Sequence, residues 1–222
     1  MMAELHLVLF DVDGTLVDSQ GAIVGAMSAA FEALDLAVPA RGDILSIVGL
    51  SLPQAVAQLV PDLSAALQAR IVEGYKTSYK AAREAAGRGH SPLYPGALEA
   101  LAALHAVPEY LLGVATGKSQ RGLDALIDAH ELSCFVTRQV ADHHPSKPHP
   151  SMVMTAMAET GVAPERTVMI GDTSYDIDMG RAAGVKTIAV NWGFHPAERL
   201  GADHIIRDFA ELPALLNEIW KG

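Results

Sequence analysis

The 222-residue chain contains a single cysteine, Cys134. It therefore cannot form an internal disulfide, and a zinc site built from several cysteines is excluded. Basic residues are also scarce, because 16 Lys and Arg stand against 26 Asp and Glu and give a net charge of −10. This balance argues against a nucleic-acid or anionic-membrane binder, since both surfaces are recognised through a basic face. A small anionic substrate held by a few cations is compatible with it.

The start of the chain has neither a basic leader nor a long hydrophobic run. It begins Met-Met-Ala-Glu, and the apolar run over residues 5–10 stops at Asp11. A membrane-spanning helix needs about 20 apolar residues, and a signal peptide begins with positive charges. We therefore expect a cytoplasmic protein that does not engage membranes; its oligomeric state is not indicated. Half of the residues are hydrophobic, which is enough for one large domain or for one domain with a smaller insertion.

Short apolar segments recur along the chain, and helical patterns lie between them. Such segments are typical of strands that are buried on both faces of a parallel sheet. The apolar segments are 5–10, 110–115, 167–170, 186–190 and 204–206, and the helical patterns are 96–105, 119–129, 150–159 and 208–220. This alternation predicts an α/β domain with a parallel sheet.

Residues 18–90 interrupt that alternation. Apolar residues such as Ile23, Met27 and Phe31 recur there at helical spacing, and no strand-like run lies among them. Glycine and proline are concentrated over 87–96, where the chain would return to the sheet. The pattern predicts an all-helical insertion over 18–90, with 1–17 and 91–222 forming the core domain.

The segment Asp11-Val12-Asp13-Gly14-Thr15 follows the first predicted strand. Open α/β sheets bind their ligands beyond the carboxyl ends of the strands. Two carboxylates there repel each other and need a cation, for which oxygen-preferring Mg²⁺ is suited. A solvated Asp-Gly turn is the alternative. Asp172 ends another predicted strand, and Asp176 lies four residues further. The alternative is that these two aspartates serve only as a helix cap and a first-turn acid.

Two further segments carry candidate phosphate-binding groups. Thr116 and Gly117 end a predicted strand and precede a helix, whose N-terminal amides can bind phosphate. A nucleotide-binding loop is excluded, because only three residues separate Gly113 from Gly117 where four are needed. Lys147 precedes another predicted helix; taken alone it is an ordinary surface lysine.

Taken in order, these segments resemble the four motifs of the haloacid dehalogenase-like hydrolase superfamily. The matching residues are Asp11 to Thr15, Thr116, Lys147, and Asp172 with Asp176. The helical insertion resembles the small cap of the phosphoglycolate-phosphatase-like branch. The resemblance implies a Rossmann-like parallel sheet core with a small all-helical cap domain inserted after the first strand. It also implies a Mg²⁺ cofactor and hydrolysis of a small phosphorylated metabolite, of the phosphoglycolate or sugar-phosphate type.

The resemblance also implies a role for each residue. Asp11 would attack phosphorus and become an aspartyl-phosphate, and Asp13 would act first as acid and then as base. The Asp11 side chain, the Asp13 carbonyl and Asp172 would hold Mg²⁺. The transferring phosphoryl group would be bound by Thr116, Gly117 and Lys147, while Asp176 orients a metal-bound water or pairs with Lys147.

Other activities on related scaffolds remain open. Asp13 favours cleavage of a phosphate ester over cleavage of a carbon–halide bond, because the dehalogenase branch lacks an acid at the position of Asp13. Phosphonate cleavage would need a cap lysine, and we interpret the candidates Lys76 and Lys80 as solvated helix charges. A sugar phosphomutase would use the same two aspartates. A non-enzymatic phosphoaspartate receiver domain is a further alternative, but it would be much shorter and would lack the helical insertion.

The leaving-group contacts are expected in the cap. The segment Val48-Gly49-Leu50-Ser51 would face the site, which makes Gly49 and Ser51 candidate substrate contacts. Arg41 is a candidate for binding a substrate carboxylate, with a surface position as the alternative.

Overall fold

A computed structural model describes residues 4–221, the side chain of Arg88 excepted. Within that range six strands form one sheet in the order β3-β2-β1-β4-β5-β6, and every neighbouring pair is parallel. The strands are β1 His6–Phe10, β2 Tyr110–Thr116, β3 Phe135–Val140, β4 Thr167–Gly171, β5 Lys186–Val190 and β6 His204–Ile206. The predicted parallel α/β fold is therefore confirmed.

The central strand β1 is buried on both faces, as its continuous apolar sequence predicts. Val8 and Phe10 point into a core shared with helices on one face, and Leu7 and Leu9 point into a second core on the other. The helices of the first face are α5 Ala97–His105, α6 Gln120–His130 and α9 Leu212–Lys221, and those of the second are α7 Ser151–Thr160 and α8 Ser174–Ala182. The two helical layers therefore cover β1 from both faces of the sheet.

The insertion contains the first four α-helices that follow β1; the fifth, α5, belongs to the layer that covers the sheet. The four helices are α1 Gln20–Glu32, α2 Arg41–Ser46, α3 Leu52–Leu59 and α4 Ala65–Ala86. They share a core separate from that of the sheet, which includes Met27, Phe31 and Ile71. Helix α1 packs along α4, where Gly74 lies against Ala30. The division into a 1–17 plus 91–222 core and an 18–90 cap stays a prediction.

The two chain segments that enter and leave the insertion run side by side. The amide of Asp18 donates to the carbonyl of Pro92 at 2.8 Å, and the amide of Tyr94 donates to the carbonyl of Leu16 at 2.9 Å. Two backbone hydrogen bonds therefore hold both linkers to each other at one edge of the site.

The sequence analysis did not identify strand β3 or helix α2. Strand β3 lies at the edge of the sheet and alternates, with Val136 and Arg138 exposed between buried residues, so it has no continuous apolar run. Helix α2 is only six residues long.

Among the described residues we find no helix of the length and hydrophobicity needed to cross a membrane.

Strand β4 ends at Gly171, where a Cβ atom would overlap the side chain of Asp176 on α8. We expect Gly171→Ala to lower the free energy of unfolding by about 1–3 kcal/mol, because the close approach has to be relieved by movement of the backbone. Gly25→Ala is the matched control, since a Cβ there meets nothing within 4 Å; in mid-helix it should stabilise by about 0.5–1 kcal/mol. Urea unfolding measures both, and equal stability of the two variants would contradict the close-packing argument.

Candidate active site

The candidate catalytic residues meet beyond the carboxyl ends of the strands. Asp11 follows β1, Asp172 follows β4, and Thr116 is the last residue of β2. Lys147 lies between β3 and α7. All four are buried, each at most 1% exposed. Parallel strands bring these residues to one edge of the sheet although they are far apart in sequence.

Lys147 bridges two carboxylates in the interior. Its Nζ donates to Asp11 Oδ1 and to Asp176 Oδ1, each at 2.6 Å. Burial alone would lower the pKa of Lys147, but the charges of Asp11 and Asp176 and their hydrogen bonds outweigh it, so that the pKa is raised. The lysine is therefore a permanent cation at the centre of the site.

Asp176 is positioned by the first turn of α8. Its Oδ2 accepts hydrogen bonds from the Thr173 amide at 3.0 Å and the Thr173 hydroxyl at 2.7 Å. This arrangement belongs to a capping box, in which the residue before the helix and the third helical residue satisfy each other. One oxygen of Asp176 thus caps the helix and the other pairs with Lys147, so Asp176 holds the Lys147 ammonium in a fixed position.

Asp172 is held from two sides. Its Oδ1 accepts from the Thr15 hydroxyl at 2.9 Å, and its Oδ2 accepts from the Phe194 amide at 2.8 Å. Gly14, with φ +89°, lies so close that a side chain there would overlap Asp172. Burial, followed by the charges of Asp176 and Asp11, raises the pKa of Asp172.

Asp11 has one engaged and one free oxygen. Oδ1 accepts from Lys147, whereas Oδ2 is buried and has no hydrogen-bond partner in the part of the chain that the structure describes. Burial raises the pKa of Asp11 to about 7, against the opposing charge of Lys147. A buried acceptor without a partner is costly, which points to a ligand at this oxygen.

The residues present fit a divalent cation. Asp11, Asp172 and Asp176 each offer a carboxylate oxygen, and these oxygens lie within 4.8 Å of one another. Three buried carboxylates face one buried ammonium, so the cluster carries excess negative charge that a doubly charged, oxygen-preferring ion would offset. Both oxygens of Asp172 and both of Asp176 already accept hydrogen bonds from the protein, so Asp11 Oδ2 is the one oxygen of these three carboxylates without a partner among the described residues.

Asp13 has a partner that the sequence analysis missed. Lys118 Nζ donates to both Asp13 oxygens at 2.8 Å and to the Tyr79 hydroxyl, on α4, at 3.2 Å. Burial works against the lysine charge, but Asp13 and Tyr79 raise the pKa of Lys118. The available signal was the position of Lys118, which directly follows Thr116-Gly117 at the end of a predicted strand.

A cavity of about 430 Å³ lies between the insertion and the sheet. Asp11, Asp13, Thr116 and Gly117 line its floor, and Gly49 and Ser51 of the insertion line it as expected. The Ser51 amide donates to the Ser146 hydroxyl at 2.8 Å, which brings this loop onto the core. Lys147 and Asp172 are not among the residues that line the cavity; they lie behind Asp11, which each of them approaches.

The structure does not bring Arg41 to this cavity. Arg41 starts α2, is exposed, and donates to the Gln20 side chain at 2.6 Å. Lys76 and Lys80 of α4 do line the cavity, and each also pairs with a neighbouring glutamate on the exposed side of its helix. Their solvated character is as expected, whereas their position at the cavity was not.

Comparison with known proteins agrees with this geometry. The family model for haloacid dehalogenase-like hydrolases matches residues 8–190. A probable phosphatase, IndB, from Dickeya dadantii is 34% identical over 97% of this chain and 95% of its own length. A phosphoglycolate phosphatase from Caulobacter vibrioides is 33% identical over 96% of this chain and 93% of its own. A predicted phosphoglycolate phosphatase from Haemophilus somnus has a similar fold, with a TM-score of 0.83, 23% identity and coverage of 97% and 99%.

The chain therefore belongs to the haloacid dehalogenase-like hydrolases, as the resemblance of its four motifs implied.

We expect Mg²⁺ to stabilise the fold, because ions that bind only the folded state raise its stability. At about 100 times its dissociation constant, Mg²⁺ should add about 2.7 kcal/mol, which raises the unfolding temperature by about 5–10 °C for a chain of this size. Asp172→Asn should abolish this shift, whereas Asp43→Asn, at an exposed acid of α2, should retain it. Thermal unfolding with Mg²⁺ and with chelator measures the effect; a full shift in Asp172→Asn would contradict the assigned ligand.

Proposed function

We propose that this hydrolase is a Mg²⁺-dependent phosphatase, which removes the phosphoryl group from a small phosphorylated metabolite through an aspartyl-phosphate. The observation that carries the proposal is the buried Oδ2 of Asp11, which has no hydrogen-bond partner among the described residues. Asp11 lines the cavity, and its other oxygen pairs with Lys147. Relatives named phosphatases, phosphoglycolate phosphatases and a pyrophosphatase support the same class of reaction.

Asp11 is the nucleophile in this proposal. Its Oδ2 attacks phosphorus, the bond to the leaving oxygen breaks, and the phosphoryl group is transferred to Asp11. Lys147 holds the other oxygen at 2.6 Å and fixes the carboxylate in one orientation. A nucleophile held in one orientation beside the bound substrate lowers the entropy cost of bringing the reactants together.

Asp13 lies two residues further and lines the same cavity. It donates a proton to the leaving oxygen, and in the second step it takes a proton from the water that attacks the aspartyl-phosphate. Proton transfer by a positioned carboxyl group is needed here because an alkoxide is a poor leaving group.

The remaining residues stabilise the transferring group. Thr116, Gly117 and Lys147 bind its oxygens, through a hydroxyl, a backbone amide and an ammonium. The Asp11 side chain, the Asp13 carbonyl and Asp172 would hold Mg²⁺. The ion supplies charge neutralisation for a dianionic phosphate beside these carboxylates. Asp176 keeps Lys147 in place between the two aspartates.

The helical insertion acts as a lid in this proposal. Residues 18–90 would move as a unit on the two linkers, and Gly49 and Ser51 would contact the leaving group when the lid is closed. Closure excludes water from the nucleophile and selects the substrate.

The covalent intermediate is the sharpest test of this function. Wild-type protein should release phosphate from a panel of monoesters, and Asp13→Asn should accumulate the aspartyl-phosphate when mixed with nitrophenyl phosphate. Nitrophenolate needs little protonation to leave, whereas breakdown of the intermediate still needs the missing base. Intact-mass measurement after acid quenching should show one added phosphoryl group in Asp13→Asn and none in Asp11→Asn.

Three results would contradict this assignment: no phosphate release from the panel, a phosphorylated Asp11→Asn, or a label that maps elsewhere. Isomerisation of a phosphosugar without release of phosphate would indicate a phosphomutase.

Mobility of the lid makes a separate prediction. The amides of Asp18 and Tyr94, which join the linkers, should exchange hydrogen more readily than the amides of β1, because a hinge opens without unfolding the sheet. Hydrogen exchange followed by mass spectrometry or NMR measures this difference. Equal protection of linkers and central strand would count against a moving lid.

A further inference from the structure

The cavity above the nucleophile is rich in cations in an otherwise acidic chain. Five of the 16 Lys and Arg residues line it: Lys76, Lys80, Arg83, Lys118 and Arg121. The acidic residues that line it are Asp11, Asp13 and Asp142, and Asp142 already accepts a hydrogen bond from the Gln120 amide at 2.8 Å. The wall that faces the leaving group is therefore positive.

These cations differ in how they are compensated. Lys76 and Lys80 pair with Glu73 and Glu84. Within the described part of the chain, Arg83 and Arg121 have no ion-pair partner. Positive charge thus remains available at the cavity for an incoming anion.

Lys118 is the cation closest to the chemistry. Its side chain is 10% exposed, and its Nζ lies 2.8 Å from both oxygens of Asp13. Asp13 has to reach the leaving oxygen over a similar distance. A leaving oxygen bonded to Asp13 therefore lies within about 6 Å of Lys118 Nζ, so that a substituent one or two bonds further along can contact the ammonium directly.

The surroundings of Lys118 also suit an exchange of partners. An ammonium has three donors, two of which are on Asp13 and one on the Tyr79 hydroxyl. Tyr79 belongs to α4 of the insertion, so Lys118 lies where core, lid and leaving group meet. An anion bound here would draw Lys118 from Asp13 and leave Asp13 free to bond with the leaving oxygen.

We propose that Lys118 is a specificity-determining residue that binds an anionic group of the leaving group, close to the ester oxygen. The substrate class is then phosphate monoesters whose leaving group carries a carboxylate or a second phosphate, in preference to neutral sugars or alcohols. This inference rests on the proposed phosphatase function.

The test compares substrates that differ only in that charge. One pair is 2-phosphoglycolate and its neutral amide; the other is ethylene glycol bisphosphate and 2-hydroxyethyl phosphate. Wild-type kcat/KM should favour the anionic member by about ten- to a hundredfold, the strength of a hydrogen bond to a charged group. The pair with the larger preference distinguishes a carboxylate from a second phosphate.

Lys118→Met should reduce this preference to less than about threefold, mainly by lowering kcat/KM for the anionic member. Both members are assayed on one preparation, so a smaller folded fraction lowers both equally and leaves the ratio intact. Lys118→Gln is the second variant should Lys118→Met fail to fold. Arg70→Met removes a charge from α4 at a position that does not line the cavity, and it should keep the wild-type ratio.

The outcomes distinguish a failure of this inference from a failure of the proposed phosphatase function. Phosphate release without preference in the wild type, or an unchanged ratio in both Lys118 variants, would overturn this inference alone. The same loss for both members would show that Lys118 acts only through Asp13, which also overturns it. No phosphate release from any monoester would overturn the proposed function and this inference together.

Discussion

The active site depends on one buried ammonium. Lys147 is the charge that allows Asp11 and Asp176 to lie in the interior, at 2.6 Å from each. Removing one partner of a buried ion pair typically costs about 3–5 kcal/mol, because it leaves an uncompensated charge. The bridge also joins the end of β1 to the first turn of α8. The same pair of salt bridges therefore orients Asp11, the proposed nucleophile, and holds these two elements together at the edge of the sheet.

The bridge does not neutralise the cluster. Asp172 adds a third buried carboxylate, held by Thr15 and the Phe194 amide, and burial raises its pKa and that of Asp11. Buried carboxylates in excess over cations cost stability unless a cation joins them. The protein holds this arrangement with hydrogen bonds from three loops, which is how folds retain strained electrostatics at functional sites. In the proposed function, a divalent cation would offset this excess of carboxylates and leave a balanced site for a phosphate dianion.

Lys118, the second lysine near the site, has a different role. Lys147 is enclosed by the core, whereas Lys118 lies between core and lid, with Asp13 on one side and Tyr79 on the other. Lys147 orients Asp11, the proposed nucleophile, and Lys118 borders the space that we propose for the leaving group. A lid that contacts the core through a few polar groups, such as Ser51 on Ser146, can change its leaving-group contacts without disturbing the residues that carry the reaction.

The sequence by itself determined most of the core and of the site. Apolar runs bounded by polar turns are local signals, so five of the six strands and the helical insertion could be predicted, along with Asp11, Asp13, Thr116, Lys147, Asp172 and Asp176. The edge strand β3 could not be, because two of its six residues face solvent and interrupt its apolar pattern. Only the tertiary structure decided which side chains meet across the cavity. Lys118 reaches Asp13 across 105 positions of sequence, and Arg41, which local chemistry made a candidate, bonds to Gln20 instead. Each contact joins residues that lie far apart along the chain, which no local pattern encodes.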